Sequence, residues 1–273
     1  MDAAKVSMGL QKSRTKLDLP RLISSGQVQR LEYHDSVAST NDRAALLAEE
    51  PNLACPALVA AREQTAGRGR GSNRWWSAPG GLMFSLVLER PTTASGGAHW
   101  SGYSLTAGLA ICEALSSQLP SGNFSVKWPN DVYAGEQKIC GILIESPAQA
   151  RGRLIVGVGV NINNSFGAAP QDLRRSATSL CDVAGETFDL TEVLICILRH
   201  LDNRWLELVT LGFAALRDAW RERSLLTGRA VQLRVGAEML TGRCLGIDDD
   251  GALLLQTEQG RHTCHAGSVV AFE

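Results

Sequence analysis

Residues 64–76 read Gln-Thr-Ala-Gly-Arg-Gly-Arg-Gly-Ser-Asn-Arg-Trp-Trp, and no other run limits the fold as strongly. Three glycines alternate with Arg68 and Arg70, and a Trp pair closes the segment. Glycine loses more backbone freedom than any other residue on entering a helix or strand, so the run is expected to be a loop between regular elements. It reads as a mobile loop with fixed positive charge and exposed backbone N–H groups, the parts needed to fold over a phosphate-bearing ligand. A solvated basic turn, or an Arg-Gly contact with nucleic acid, would use the same residues. The chain has no Gly-x-x-x-x-Gly-Lys-Ser/Thr pattern, so a nucleotide here is not held by a P-loop.

The flanks of the loop set the fold class. Residues 57–62 are small and apolar, as in a buried strand, and 82–88 return as a second strand. A first strand is expected at 28–33, followed by helix-cap candidates in Ser39-Thr40-Asn41-Asp42. Leu105, Leu109, Cys112, Leu115 and Leu119 recur at helical spacing and predict a helix over 101–119. Strand-like segments follow at 126–128, 132–134, 138–145 and 154–162. Asp189 and Glu192 suit a capping box for a long helix whose apolar face includes Leu194, Ile197, Leu201 and Leu208, and a second helix is expected over 212–222. Beyond Thr227-Gly228 short alternating strands are broken by turns, with Asp250-Gly251 as a hairpin signal. The expected fold is α/β, a mixed-sheet domain over 28–225 with a small SH3-like β module over 226–273, preceded by a disordered tail over 1–27.

Composition narrows the function classes. A net charge of −1 argues against a protein built to coat nucleic acid or an acidic membrane. The seven cysteines are odd in number and form no Cys-x-x-Cys pair, which suits a reducing, cytoplasmic compartment. The longest apolar run, 154–162, is about half of the roughly 20 residues needed to span a bilayer, so no membrane association is expected.

Four segments could carry chemistry. Ser39, Thr40 and Asn41 can hydrogen-bond a small polar ligand or cap a helix. Gln64, Arg68, Gly69 and Arg70 supply an amide and two planar forks suited to carboxylate or phosphate oxygens, while the Trp pair suits anchoring into the core. In Lys127-Trp128-Pro129-Asn130-Asp131 a tight turn presents a carboxylate able to take Mg²⁺ alongside phosphate oxygens, and Lys138 opens the next apolar strand, as a cation for the site or as a strand-end charge. Gly157-Val158-Gly159-Val160-Asn161 marks close approach to a strand by a ligand, or tight packing against a neighbour. It is no dinucleotide fingerprint, since Ile162 stands where the third glycine would be. His262-Thr263-Cys264-His265 lacks further ligands for a metal site.

The order of these segments is more specific than any one of them. Ser-Thr-Asn, Gln-x-x-Gly-Arg-Gly-Arg, Lys-Trp-Pro-Asn-Asp, Lys-x-x-Gly-Ile-Leu-x-Glu and Gly-x-Gly-x-Asn, followed by a β module, resemble the biotin–protein ligases over roughly 28–272. The resemblance implies a catalytic domain related to class II aminoacyl-tRNA synthetases and lipoate ligases. It implies a reaction in which biotin and ATP give biotinyl-5′-AMP, and biotin then passes to a lysine of a biotin carboxyl carrier protein, the biotinylated part of a carboxylase such as acetyl-CoA carboxylase. By resemblance Ser39, Thr40, Asn41 and Gln64 face biotin, and Arg68, Gly69 and Arg70 form the adenylate-binding loop. Lys138 contacts the carboxylate and α-phosphate, so that Lys138 and Arg70 are the catalytic pair. Gly141, Gly157 and Gly159 line the biotin floor, and Lys127, Asn130, Asn161 and Trp75 lie toward the nucleotide, with Asp131 toward Mg²⁺.

Two departures from the pattern carry expectations. Gly71-Ser72-Asn73 stands where many relatives carry Arg-Gly-Arg, which implies looser retention of the adenylate. Only about 27 residues precede the first strand, too few for the winged-helix domain of the repressor ligases, so no DNA binding is expected. Exposed sheet edges would permit the homodimer common in the family. Competing functions are a lipoate ligase or octanoyltransferase, a non-catalytic biotin sensor and a nucleic-acid-binding protein.

Overall fold

The computed structural model describes residues 16–90, 100–150 and 152–273. Its elements are α1 (Leu19–Ser24), β1 (Arg30–His34), α2 (Thr40–Leu47), β2 (Ala57–Ala61), β3 (Leu82–Glu89), α3 (Trp100–Gln118), β4 (Phe124–Lys127), β5 (Asp131–Ala134), β6 (Gln137–Glu145) and β7 (Arg153–Val160). Then come α4 (Gln171–Ser176), α5 (Leu180–Ala184), α6 (Leu190–Leu211), α7 (Phe213–Glu222), β8 (Ala230–Val235), β9 (Glu238–Ile247), β10 (Leu253–Thr257), β11 (Gly260–Cys264) and β12 (Ser268–Phe272).

The first seven strands form one mixed sheet in the order β1-β2-β3-β7-β6-β5-β4, with β1 and β2 parallel and every other neighbour antiparallel. Side chains alternate between the two faces of a strand, so one face of β7 carries Leu154, Val156, Val158 and Val160, and the other Ile155, Gly157 and Gly159. The first set joins the main core, buried with Leu105, Leu109 and Leu115 of α3 and Leu194, Ile197 and Leu201 of α6. Tyr103 and Trp205 stack across this helix pair with centroids 5.2 Å apart. On the opposite face α2 covers only part of the sheet, burying Ala44 and Leu47 against Val59, Val87 and Ile155. Beyond α2, Ser85, Gly157 and Leu143 stand in register on that face, as do Met83, Gly159, Gly141 and Asp131. Small residues therefore line a trough in the middle of the sheet.

The last five strands form a separate antiparallel sheet in the order β11-β10-β9-β8-β12. The Asp250-Gly251 turn closes β9 onto β10: Asp248 Oδ1 accepts from the N–H groups of Asp250 (3.0 Å) and Ala252 (2.8 Å), and Gly251 takes a φ of +79°, which disfavours any side chain. Gly251 also offers its carbonyl to the buried Trp128 Nε1 at 3.1 Å, which ties this module to the main domain.

Two expectations need correction. Residues 1–15 of the expected tail lie outside the described residues, but 19–24 form a helix, with Leu22 fully buried, Asp18 capping its start and Arg21 paired to Asp189 at 2.8 Å. The capping box is only half formed. Asp189 accepts from Thr191 and Glu192 N–H, but the Glu192 carboxylate turns to Arg21 instead of back to the cap. That charge arrives by tertiary packing of α1, which local sequence does not reveal. No helix among the described residues is long and apolar enough to cross a membrane.

Candidate active site

A cleft of about 410 Å³ opens over the trough, and every residue singled out in the sequence for binding or catalysis lines it. Its construction begins where β1 and β2 end. Their parallel pairing continues through an isolated bridge between Val37 and Gln64, with Thr65 N bonded to Val37 O (2.9 Å) and Ala66 N to Ala38 O (2.8 Å). The start of α2 and the start of the glycine–arginine loop therefore leave the sheet side by side. Ser39 occupies the N-cap position of α2 but makes no capping hydrogen bond with its side chain, although it is buried.

The floor is a chain of polar side chains that satisfy one another. Gln64 Oε1 accepts from Thr40 N (2.7 Å) and Thr40 Oγ1 (3.2 Å), so Nε2 is the arm of that amide available to a ligand. Ser85 Oγ lies 2.8 Å from Thr40 Oγ1 and 2.6 Å from Asn41 Oδ1. An amide oxygen only accepts, so the Ser85 proton points at Asn41, and the single Thr40 hydroxyl proton goes to either Ser85 Oγ or Gln64 Oε1, which keeps its bond from Thr40 N in both cases. Asn41 Nδ2 donates to Glu145 Oε2 (2.7 Å) and Leu143 O (3.3 Å). Asn41 thus lines the cleft with its amide fully used inside the protein. A Cβ on Gly157 would collide with Asn41 Oδ1, and a Cβ on Gly159 with the Trp75 indole. On Gly141 it would stand 3.0 Å from Trp75 Cζ3 and 3.3 Å from Lys138 Nζ. The three glycines are required here by side chains lying on them. Trp75 rests on the glycine trough, and its buried Nε1 has no hydrogen-bond partner.

The loop itself is folded upon itself. Gly69 N bonds to Asn73 O (2.8 Å), Asn73 N to Arg70 O (3.2 Å) and Trp75 N to Gly67 O (3.0 Å), and Arg68 pairs with Arg74 in an antiparallel bridge. Gly71 turns the hairpin with a φ of +62°. The departure at Gly71-Ser72-Asn73 thus falls on the hairpin tip, where Asn73 supplies closing bonds. The two arginines diverge. Arg68 makes a bidentate pair with Glu145 (2.9 and 2.7 Å) and meets Asp42 at 2.7 Å, contacts that hold its guanidinium more firmly protonated. Arg70 is partly buried, donates to Gly267 O of the C-terminal module at 3.2 Å, and has its proton affinity lowered by burial, partly offset by Asp131.

At the mouth, Lys138 Nζ lies 2.6 Å from Asp131 Oδ1, a close ion pair without the angles of a directed hydrogen bond, and 5.9 Å from the Trp75 ring centroid. Lys127 Nζ reaches Tyr133 Oη (3.3 Å) and Val269 O (3.5 Å) and stands 5.2 Å from the Phe272 ring centroid. Burial lowers the Lys127 pKa; Asp131 raises it and Lys138 lowers it further. Five cationic side chains (Arg68, Arg70, Arg74, Lys127 and Lys138) and one carboxylate, Asp131, line the cleft among the described residues. Two of the residues expected toward the nucleotide line the cleft and also bond within the protein. Asn130 Nδ2 donates to Ile142 O (2.7 Å), and Asn161, almost fully buried, bonds to Thr178 O (3.0 Å) and Asn164 (2.9 Å).

Sequence reasoning missed Ser85, although a serine inside the apolar run Leu-Met-Phe-Ser-Leu-Val-Leu was a signal. It also gave no role to Glu145, and the carbonyls of Gly267 and Val269 have no sequence signature at all.

The model of the biotin/lipoate A/B protein ligase family matches residues 33–163, and that of the biotin protein ligase C-terminal domain matches 226–270. The biotin–[acetyl-CoA-carboxylase] ligase of Paracoccus denitrificans is 37% identical over 85% of this chain and 96% of its own length. This chain belongs to the biotin protein ligase family. The ligase/repressor BirA of Bacillus subtilis is 35% identical over 85% of this chain and 71% of its own. Among solved structures, the biotin protein ligase of Aquifex aeolicus in complex with biotin and ATP superposes with a TM-score of 0.76 at 30% identity, over 90% of this chain and 99% of that one. The fold class is therefore that expected for a biotin protein ligase, a mixed-sheet domain with a separate antiparallel C-terminal sheet.

Proposed function

We propose that this chain activates biotin with ATP to biotinyl-5′-AMP and transfers it to a lysine of a carrier domain, that of acetyl-CoA carboxylase being the acceptor its relatives' names indicate. The observation that carries this is the division of a single cleft into a neutral hydrogen-bonding floor and a cationic mouth. Biotin's apolar rings would lie over the trough against the Trp75 indole that covers it, with the ureido edge toward Gln64 Nε2 and the Ser39 hydroxyl. A buried polar group left unpaired costs about 1–3 kcal/mol, so that edge selects against analogues lacking it. The tail would place its carboxylate beside Lys138.

Adenylation joins two anions. A carboxylate oxygen attacks the α-phosphorus, the new P–O bond forms as the bond to pyrophosphate breaks, and pyrophosphate leaves with its charge. Lys138 and Arg70 offset the repulsion, and donors preset toward developing charge act most strongly where water is excluded. Mg²⁺ would enter with the triphosphate, adding positive charge at the phosphates. The cleft fits a metal held chiefly by the nucleotide, because Asp131 is its one carboxylate and already pairs with Lys138. No group of three or more His, Cys, Asp or Glu side chains among the described residues could hold a metal unaided. In the second step a neutral acceptor amine attacks the acyl carbon, the bond from that carbon to the AMP oxygen breaks, AMP departs and the amine nitrogen releases one proton to solvent. All seven cysteines are free, in keeping with the cytoplasm as the proposed compartment.

The test is to mix the protein with biotin, Mg-ATP and a biotin carrier domain and weigh the carrier, which should gain one biotinyl group. Calorimetry with biotin against lipoate separates this function from lipoate transfer. An unmodified carrier together with no heat from biotin would reject the proposal.

A further inference from the structure

We propose that Glu145 is a positioning residue that clasps the glycine–arginine loop to the floor of the cleft, so that one carboxylate governs both the shape of the pocket and closure of the lid. This rests on the function proposed above and adds to it a coupling between its two halves.

Glu145 ends β6, next to the trough but outside the cleft lining. Its two oxygens receive three donors: Arg68 Nη1 at 2.9 Å on Oε1, and Arg68 Nη2 and Asn41 Nδ2, both at 2.7 Å, on Oε2. Charge-assisted and bidentate contacts of this kind are stronger and more directional than neutral ones. The consequence for Arg68 is that its fork is already filled by a carboxylate, with Asp42 as a further partner, so it serves as the fastening of the loop and leaves the anions to Arg70 and Lys138. The consequence for Asn41 is a fixed amide. Nδ2 faces two acceptors, Glu145 and Leu143 O, which forces Oδ1 toward Ser85 and over Gly157. A continuous chain thus runs from Gln64 through the Thr40 N–H and hydroxyl, Ser85, Asn41 and Glu145 to Arg68. A ligand that engages Gln64 at one end acts on the same network that fastens the lid at the other.

Two features set this clasp apart from an ordinary surface ion pair. The chain is buried at Thr40, Asn41 and Ser85, and it joins α2 (Thr40, Asn41), β3 (Ser85) and β6 (Glu145) to two points of one loop, Gln64 and Arg68. Rearranging Glu145 or Ser85 leaves the buried Asn41 amide short of a partner, which is how such networks transmit a change, although the Arg68–Glu145 end is itself partly open to water.

The test uses the full chain and the variants Glu145→Ala, Glu145→Gln, Arg68→Ala and the double variant. In ligand-free protein, trypsin cleavage after Arg70 and Arg74 should be about tenfold faster in Glu145→Ala. With biotin and ATP, the same variant should release biotinyl-adenylate about tenfold faster and raise the biotin KM more than it lowers kcat for pyrophosphate formation. Glu145→Gln, which keeps the shape and loses the charge, should fall between Glu145→Ala and wild type, and it keeps the test valid if the alanine variant folds poorly. Glu145→Ala and Arg68→Ala should be non-additive, the double variant releasing adenylate no faster than Glu145→Ala alone. Wild-type rates of cleavage and release in both Glu145 variants, or effects of the pair that multiply, overturn the clasp. The proteolysis requires no ligase activity: a wild type that makes no adenylate, in a set where Glu145→Ala is cut faster, rejects the function and retains the clasp.

Discussion

The two ends of the cleft are built on opposite principles. On the floor, Gln64, Thr40, Ser85 and Asn41 satisfy one another, and three glycines admit side chains laid flat on the sheet. At the mouth, Arg70, Lys127 and Lys138 crowd around Asp131, and burial lowers the proton affinity of Arg70 and Lys127. A satisfied neutral network fixes shape and costs little to bury. Three cations sharing one carboxylate are destabilising to assemble, and their charge is balanced only when further anions arrive. The same difference sorts the work: the floor should decide which acyl group enters and the mouth how fast it reacts.

The sharpest way to break that division is Lys138→Ala. Pyrophosphate release should fall by about 10²–10³-fold while biotin still binds, as calorimetry would show; an equal loss of biotin affinity would merge the two ends. Gly159→Ala probes the floor. A methyl there collides with the Trp75 indole, and overpacking of about 1–3 kcal/mol should weaken biotin about tenfold or more, with kcat at saturation less affected. Arg70→Gly removes a mouth cation that also touches Gly267 O. Its adenylate should form and then leak, with several-fold more recovered in a filtrate by mass spectrometry.

The smallest effect is a pH dependence. Lys127 carries its charge below a pKa that burial holds under the ordinary lysine value of 10.5. As pH rises through that lowered value the mouth loses a cation, so ATP affinity should decline on the alkaline side earlier than an exposed lysine would dictate, while biotin affinity holds. Stability has the opposite sign. Between the lowered value and 10.5 the unfolded chain binds more protons than the folded one, so stability rises with pH across that window. Lys127→Met should flatten both trends, read as ATP affinity and melting temperature against pH. A biotin affinity that tracks the ATP curve would count against separate ends.

Much of this was legible before any coordinates. The strands, the helix pair of α3 and α6 and the C-terminal module follow from periodicity and turn residues, and every residue chosen for chemistry lines one cleft. Individual contacts were less readable. Asn130 and Asn161 sit in the right place and spend their amides on Ile142 O and Thr178 O, because a motif marks a location and not the direction in which an amide points. Arg68 and Arg70 differ by two positions and have unrelated partners, set by Glu145 at the end of β6 and Gly267 in the far module. Such pairings depend on chain segments brought together by folding, and the partners of Lys127 and Arg70 in that module are backbone carbonyls, which every residue possesses.

The bare stretch of β7 has an implication for inhibition. A competitor resting on Asn41 and Trp75 leans on side chains that keep their places only because Gly157 and Gly159 beneath them carry no side chain. Escape from such a compound by mutation at those two positions would damage the enzyme's own architecture first. Resistance would have to arise elsewhere, at the rim, which makes the glycine trough the more durable foothold for a drug.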